Sequence, residues 1–284
     1  MELGDLGGLF DNIPNKYIST NSYIVLDEHT VPTITNQPLA SSILGDYIYY
    51  LCGNTIGQEC YKINVNTREV TALANIPNNR HSVPLVNDKL SKIYVVGGDA
   101  GAYNPEPQQS IYAYDTLTDT WSTKTAPPGV ISDTTPLYIN GKIYAFYSYN
   151  CYIYDTSTNT WTTQAMTASN TLLGHKCYDG NDTIYHFRSA VWQKISLSTF
   201  TVTLLSSNAA SVSYQDKGKM YYIDNDTILY HYSKSIYEIK ISNLTSTLIK
   251  DIGLVSACTG FDKYGDRYIL FTPGLKNMIF YRYK

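Results

Sequence analysis

Short stretches of alternating apolar and polar residues recur along the chain at a nearly constant interval. The clearest two, residues 111–121 and 151–161, match almost residue for residue: each has a strand ending in Tyr-Asp, a turn of Thr, Ser, Asp or Asn, and a second strand opened by Trp. Alternation with period two around a polar turn is typical of a β-hairpin. The step between copies is about 44 residues. Weaker copies predict further hairpins that begin near Cys60, Trp192, Ile236 and Phe280.

A second hairpin precedes each of these copies, and a glycine marks its turn in most units. Glycine supplies the positive φ angle that tight hairpin turns require. Two hairpins per repeat make a four-stranded antiparallel sheet, which cannot bury both faces by itself and must stack on its neighbours. Six such units without helical periodicity predict an all-β fold, a six-bladed β-propeller. The turn glycines are Gly45, Gly141, Gly180, Gly218 and Gly265.

The two ends of the chain predict how the ring of blades closes. The last hairpin lacks its outer strand, while an extra apolar stretch, Ser22–Ile34, precedes the first unit. We therefore expect one propeller domain over residues 22–284, in which residues 22–35 supply the closing strand of the last blade. Such closure removes the exposed strand edges that promote aggregation. Residues 1–21 are expected to form an N-terminal arm.

Motifs in the second unit resemble the kelch repeat. Residues 80–82 (Arg-His-Ser), 92–98 (an Ile-Tyr strand followed by Gly-Gly) and 112–121 (Tyr-Asp, then Trp) follow the kelch order. The third unit has Ser148-Tyr149 in place of the glycine pair, and units four to six keep only the strand pattern. The resemblance implies a β-propeller and says little about activity, because this fold serves adaptors, actin binders, oxidases and sugar-acid isomerases.

Composition and charge exclude several classes of function. The 284 residues carry a formal charge of -3 without a basic run, which argues against a nucleic-acid partner. No window approaches the length of an apolar membrane span, and the first residues lack the pattern of a signal peptide, so we expect a cytoplasmic protein, or a virion protein if the source is viral. The five cysteines have no CxxC pair and are expected to be buried free thiols.

Candidate catalytic chemistry is sparse. The five histidines show no pair with metal-ligand spacing, and a metal site needs several convergent ligands. The sequence has neither the arginine triad and Asp box of a sialidase nor a Gly-x-Ser-x-Gly nucleophile elbow. Residues 224–226 (Asp-Asn-Asp) begin like a calcium loop but lack its Gly and distal Glu. We therefore expect no metal, no cofactor and no enzymatic activity.

The kelch resemblance implies that partners bind the loops joining successive blades and those joining the second and third strands of a blade, all on one face. The longest such loop, residues 101–109, contains two prolines and an aromatic side chain suited to recognition. The candidate binding residues of this face are Asn79, Arg80, His81, Tyr103, Asn104, Glu106, Asp133, Asn170 and His175. In the N-terminal arm, the candidate partner contacts are Leu6, Leu9 and Phe10.

Three hypotheses about function follow. The leading one is a non-enzymatic interaction or assembly module that binds protein partners or neighbouring subunits. Low charge with abundant Ser, Thr, Asn and Tyr is typical of a component of a larger assembly, such as a phage tail or virion. The alternatives are a lectin-like propeller that stacks tyrosines on a glycan, and a divergent sugar-acid isomerase. The isomerase would need an Arg, Glu and His cluster at the mouth of the central channel.

Overall fold

A computed structural model shows the chain as β-strands and the turns between them. It describes residues 23–30, 41–51, 58–78, 85–98, 110–131, 134–167, 172–188, 190–207, 218–232, 235–251, 260–265, 267–272 and 277–283. Within these ranges all regular elements are strands. The described residues contain no helix long and apolar enough to cross a membrane.

In these ranges 24 strands form six four-stranded sheets, which we number along the chain. Sheet 1 contains β2 (Ser41–Leu44), β3 (Tyr47–Tyr50), β4 (Cys60–Asn64) and β5 (Val70–Leu73). Sheet 2 contains β6 (Leu85–Asn87), β7 (Lys92–Val96), β8 (Ile111–Asp115) and β9 (Thr120–Lys124). Sheet 3 contains β10 (Leu137–Ile139), β11 (Lys142–Tyr147), β12 (Asn150–Asp155) and β13 (Thr160–Ala165).

The remaining three sheets cover the second half of the chain and its first strand. Sheet 4 contains β14 (His175–Tyr178), β15 (Thr183–Arg188), β16 (Val191–Ser196) and β17 (Val202–Ser206). Sheet 5 contains β18 (Lys219–Asp224), β19 (Thr227–Tyr232), β20 (Ser235–Lys240) and β21 (Ser246–Asp251). Sheet 6 contains β22 (Gly260–Tyr264), β23 (Arg267–Thr272), β24 (Asn277–Tyr283) and β1 (Tyr23–Thr30).

Sheets 1 to 5 each consist of two consecutive hairpins, with antiparallel strands in chain order. Sheet 6 differs, because β1 pairs antiparallel with β24, in a register that joins Tyr23 to Tyr283 and Thr30 to Asn277. The first strands of neighbouring sheets lie side by side from β2 through β6, β10 and β14 to β18, and β2 also lies beside β22. This is the arrangement of a β-propeller, so the prediction of an all-β propeller is confirmed.

The hydrophobic core lies between the sheets rather than on one side of each. One cluster joins Tyr49 of sheet 1 and Leu51, which follows β3, to Ile93 and Val95 of sheet 2. Because each sheet packs on both faces, both sets of alternating side chains become buried. Tyrosine fills much of this core: four tyrosines are among the largest fully buried side chains, namely Tyr50, Tyr114, Tyr154 and Tyr230.

The Tyr-Asp-to-Trp hairpin of the kelch-like unit fastens sheet 2 to the end of sheet 1. The indole Nε1 of Trp121 donates to the backbone oxygen of Ala74 at 2.8 Å. The Asp119 Oδ1 accepts from the Ala74 backbone nitrogen at 2.8 Å and from the Tyr114 hydroxyl at 2.6 Å. The backbone N–H and C=O of Ala74 are therefore both hydrogen-bonded by one hairpin of the next sheet.

The same set of bonds recurs one sheet later. Trp161 Nε1 donates to the Thr125 backbone oxygen at 2.7 Å, and Asn159 Oδ1 accepts from the Thr125 nitrogen at 3.0 Å and from the Tyr154 hydroxyl at 2.7 Å. Asn159 has a φ of 57°, a left-handed conformation that Asn tolerates well. We call these two arrangements the tryptophan clamps; their residues are Tyr114, Asp119, Trp121, Tyr154, Asn159 and Trp161.

Candidate functional site at the leading end of the sheets

The candidate binding face is the leading end of the sheets, which we define as the end where β2, β6, β10, β14, β18 and β22 begin. The connections between sheets and those between second and third strands meet at this end. Of the binding residues predicted from sequence, only His175 lies within the described residues. The others lie outside them: Asn79, Arg80, His81, Tyr103, Asn104, Glu106, Asp133 and Asn170, together with Leu6, Leu9 and Phe10 of the arm.

His175 is the first residue of β14 and is only 4% exposed. Its ring lies 5.6 Å from the ring of Tyr230 in sheet 5. A Cβ added to Gly218 would come within 2.9 Å of its Nε2, so the glycine makes room for the imidazole. His175 therefore packs between sheets 4 and 5 at the start of a first strand, and its side chain is not presented to a partner as the candidate binding residues of this face were expected to be.

Buried polar side chains are concentrated at the leading end, and we call this group the polar belt. Most of them lie at the start of a first strand or on the second strand directly beside it. Burial of so many polar groups requires that they bond to one another or to the backbone. The belt consists of the buried Ser41, Thr134, His175, Lys176, His186, Gln193, His231 and Asp262, together with the partly exposed Lys219.

Asp262 on β22 connects three sheets. Its carboxylate accepts hydrogen bonds from the Ser41 hydroxyl of sheet 1 at 2.7 Å, and from Lys219 Nζ at 2.5 Å and the Tyr221 hydroxyl at 3.0 Å, both of sheet 5. Lys219 Nζ also donates to the Ser41 backbone oxygen at 2.8 Å. The side chains of Asp262 and Lys219 are 12% and 29% exposed, so the pair is accessible mainly through the lysine. Asp262 thus fastens sheet 6 to both of its neighbours.

Two tyrosines near Asp262 are held in their neutral form. Burial, followed by the charge of the Asp262 carboxylate, raises the pKa of Tyr50 and of Tyr221. The Tyr221 ring also packs edge-on against Tyr268 of sheet 6, with 5.5 Å between the ring centroids. These phenols can donate hydrogen bonds to the carboxylate and do not act as bases at neutral pH.

Lys176 on β14 occupies the joint between sheets 3 and 4. Its Nζ donates to Thr134 Oγ1 at 3.0 Å and to the backbone oxygens of Leu172 and Gly174 at 2.6 and 3.2 Å. The amine also lies 5.2 Å from the centroid of the Phe146 ring. The side chain is almost fully buried, and this burial lowers the pKa of Lys176 to about 7.

His186, beside Lys176 in the β-ladder, is a neutral structural residue. Burial lowers its pKa to about 3, with a further contribution from the charge of Lys176. Its Nε2 lies against the Leu173 backbone oxygen, which can only accept, so the ring proton is on Nε2. The Nδ1 must then accept, and Gln193, at 3.0 Å, must turn its amide nitrogen toward it. This imidazole has no free nitrogen for acid–base chemistry.

The described thiols are also structural. All three are free and buried, as the sequence indicated. Burial raises the pKa of Cys60 and of Cys151 to about 12 and raises that of Cys177 further, so each remains a thiol at neutral pH and is a poor nucleophile. Across the described ranges, no three His, Cys, Asp or Glu side chains converge as metal ligands would.

Tyr149 is the exposed aromatic residue that sequence reasoning missed at this end. It lies in the β11–β12 turn and is 48% exposed. Its backbone oxygen accepts from Met166 N at 2.8 Å, and the Ser148 oxygen accepts from Leu172 N at 2.9 Å, so the turn is fixed to the next connection. The signal was present in the sequence, because Ser148-Tyr149 stands where the kelch pattern has Gly-Gly.

A sugar-acid isomerase would need a convergent cluster of Arg, Glu and His. The described residues of the polar belt do not form such a cluster, and its solvent-accessible charged pair is Lys219 and Asp262. Arg80 and His81 lie outside the described residues, so this alternative stays a prediction.

Comparison with known proteins agrees with the fold. The family model of the kelch motif matches residues 91–128, the segment that contains the first tryptophan clamp. No curated protein matches the sequence. The solved structure of YjhT is similar, with a TM-score of 0.67, 15% sequence identity, and coverage of 87% of this chain and 95% of that one. The kelch motif over residues 91–128 and the propeller architecture fit a divergent kelch-repeat β-propeller.

Proposed function

We propose that this protein is a non-enzymatic interaction module that binds a protein partner at the leading end of its sheets. The kelch motif and the propeller fold support a role in protein interaction in general. We assign binding to exposed residues at this end of the sheets, and we regard the buried charged groups as part of the scaffold.

The observation that carries the proposal is the contrast between the polar belt and Tyr149. The belt's charged and titratable groups are consumed by bonds between sheets, as Asp262 and Lys176 show. Tyr149 is instead exposed on a turn whose backbone is bonded to the neighbouring connection. A rigidly held, exposed tyrosine loses little conformational entropy on binding, which is typical of an interface hot spot.

We also propose that the six sheets are the blades of one closed ring, in which β1 is the outer strand of the last blade. The pairing of β1 with β24 supports this arrangement, as do the adjacent first strands and the bonds of Asp262 to sheets 1 and 5. A closed ring gives the leading end a fixed geometry, which a recognition surface needs.

The partner we favour is a neighbouring subunit of a larger assembly, such as a phage tail or virion, which would place the protein in the virion or in the cytoplasm where it assembles. Only 16% of the residues are charged, which suits a surface that becomes covered by protein. A glycan is the second candidate ligand, because an exposed tyrosine ring such as that of Tyr149 can also stack on a sugar.

The test compares Tyr149→Ala and Tyr103→Ala with Leu204→Ser, a control at an exposed position of the outer strand β17. Each purified protein is used for affinity capture of partners and for a glycan array. We expect a stoichiometric protein partner that is retained by the control and bound roughly 30-fold more weakly by Tyr149→Ala, the effect of a hot spot of about 2 kcal/mol.

Two results would redirect or refute the proposal. Binding to a defined sugar that is lost in Tyr149→Ala would replace the protein partner with a glycan. A partner bound equally well by all three variants would show that the leading end is not the binding surface.

A further inference from the structure

Among the described residues, Lys176 is a buried cation without a counter-ion. All three of its hydrogen-bond acceptors, Thr134 Oγ1 and the backbone oxygens of Leu172 and Gly174, are uncharged. In the described part of the chain no carboxylate bonds its Nζ. The nearby guanidinium of Arg188 is a like charge that further disfavours the ammonium form. Buried charges in proteins are normally paired, so this arrangement is costly whenever the amine is protonated.

We propose that Lys176 makes the joint between sheets 3 and 4 a pH-sensitive switch, which is firm when the amine is neutral and weakened when it is protonated. A neutral amine still donates two hydrogen bonds and so keeps most of its contacts with Thr134, Leu172 and Gly174. Protonation adds one donor but places an unpaired charge between the sheets. The cost of that charge outweighs one additional hydrogen bond to an uncharged oxygen.

The direction of the effect follows from linkage. An unfolded lysine titrates near pH 10.4, and burial lowers the pKa of Lys176 in the folded protein to about 7. Between these values the unfolded chain binds more protons than the folded one, so stability increases as the pH rises from about 7 toward 10. Below about pH 7 both states are protonated and the penalty is complete.

The other groups around the amine do not titrate in this range. Burial raises the pKa of Cys151 to about 12 and lowers that of His186 to about 3, so both stay neutral. His175, the preceding residue on β14, faces the opposite side of the strand, toward Tyr230. Among these described groups, Lys176 is thus the one that can make this joint respond to pH between 7 and 10.

The joint itself has a local reporter. The Thr135 backbone nitrogen donates to the Gly174 oxygen at 3.2 Å, and Thr134 and Gly174 form an isolated parallel bridge between the two sheets. Because the same Gly174 oxygen accepts from Lys176, opening of the joint should expose the Thr135 amide to exchange. After correction for the intrinsic pH dependence of exchange, protection of Thr135 should be higher at pH 9 than at pH 7.

The experiment compares urea unfolding of the wild type with Lys176→Met and with Lys194→Met, an exposed lysine of the same sheet, at pH 7.5 and 9.5. With a folded pKa of about 7, the folding equilibrium constant of the wild type should rise roughly 70-fold relative to Lys176→Met between these pH values. Lys194→Met should keep the pH dependence of the wild type. Equal pH dependence in wild type and Lys176→Met would overturn the proposal.

A second measurement uses the wild type alone, in case Lys176→Met does not fold. The lysine side-chain carbon next to the amine reports protonation in an NMR titration. We expect one lysine resonance with a midpoint near neutral pH. If no lysine resonance has a midpoint near neutral pH, the switch does not exist.

Discussion

Removal of the Asp262 carboxylate should weaken the attachment of sheet 6 to both of its neighbours. Asp262→Ala breaks the bonds to Ser41, Lys219 and Tyr221 at once. These bonds connect one side chain of sheet 6 to both sheet 1 and sheet 5. The substitution should therefore weaken the propeller where its first and last segments meet.

The size of the effect follows from burial. Breaking a buried ion pair by removing one partner costs about 3 to 5 kcal/mol. Asp262 is 9% exposed, but the Lys219 side chain is 29% exposed and can regain water when its partner is lost. We therefore expect the low end, a loss of about 3 kcal/mol. For a domain of this size that corresponds to a melting temperature lower by roughly 6 to 12 °C.

The assay is chemical and thermal unfolding followed by circular dichroism, with Asp155→Ala as a control. Asp155 is the last residue of β12; its partly exposed carboxylate accepts hydrogen bonds from Ser157 within the same hairpin, and its removal should have a much smaller effect. Lys219→Met should cost less than Asp262→Ala, because the carboxylate keeps its bonds to Ser41 and Tyr221. Equal losses for Asp262→Ala and the control would refute the role assigned to the carboxylate.

Three further predictions test other parts of the scaffold. Gly97→Ala should destabilise the protein by at least about 3 kcal/mol, because Gly97 has a φ of 78° and a Cβ there would lie 2.1 Å from the Ile131 oxygen. The control Gly141→Ala has a similar φ of 80° but open space around the added Cβ, so it should cost only about 1 kcal/mol. Equal losses of stability in urea unfolding would contradict the steric argument. Trp161→Phe should cost about 1 kcal/mol, because it removes the 2.7 Å bond to the Thr125 oxygen, and a loss within error would show that the clamp does not contribute. The buried thiols should react with a disulfide reagent at pH 8 only after unfolding, and mass spectrometric labelling in the native protein would disprove this for Cys60, Cys151 or Cys177.

The sequence predicted most of the repeating part of the fold because the repeat is local. The fifth unit is the exception: its first turn was expected at Gly218 but lies between β18 and β19, and Gly218 precedes β18. Hairpin turns and alternating strands depend on neighbours within a few residues, and the matched segments 111–121 and 151–161 fold into equivalent strands and turns. The pairing of β1 with β24 was also predictable, because a strand was missing at one end of the chain and in excess at the other. Both inferences needed only the spacing of apolar residues and turns.

The polar belt was not predictable in the same way. Asp262 and its partner Ser41 are separated by 221 positions in the sequence, and neither belongs to a recurring motif. Alternation indicates that a side chain lies on one face of a strand but does not identify the side chain it meets on the next sheet. His175 was included among the binding residues for a related reason: it lies where a connection meets a first strand, and there one position decides between a loop and the interior.

Neighbouring sheets are joined in two ways, by the tryptophan clamps in the first half of the chain and by the polar belt in the second. The tryptophan clamps join sheet 2 to sheet 1 and sheet 3 to sheet 2, and they use the residues that define the kelch motif. Sheets 4 to 6 lack that motif, and there the polar belt supplies the bonds between sheets: Lys176 joins sheets 3 and 4, His175 packs sheet 4 on sheet 5, and Asp262 joins sheet 6 to sheets 5 and 1. This division explains how repeats that lost the motif can still pack in register. The clamps and the Asp262 bonds share no residues, so Trp161→Phe and Asp262→Ala should be additive within about 0.5 kcal/mol in the double variant. A larger deviation would mean that the sheets do not stack through independent joints.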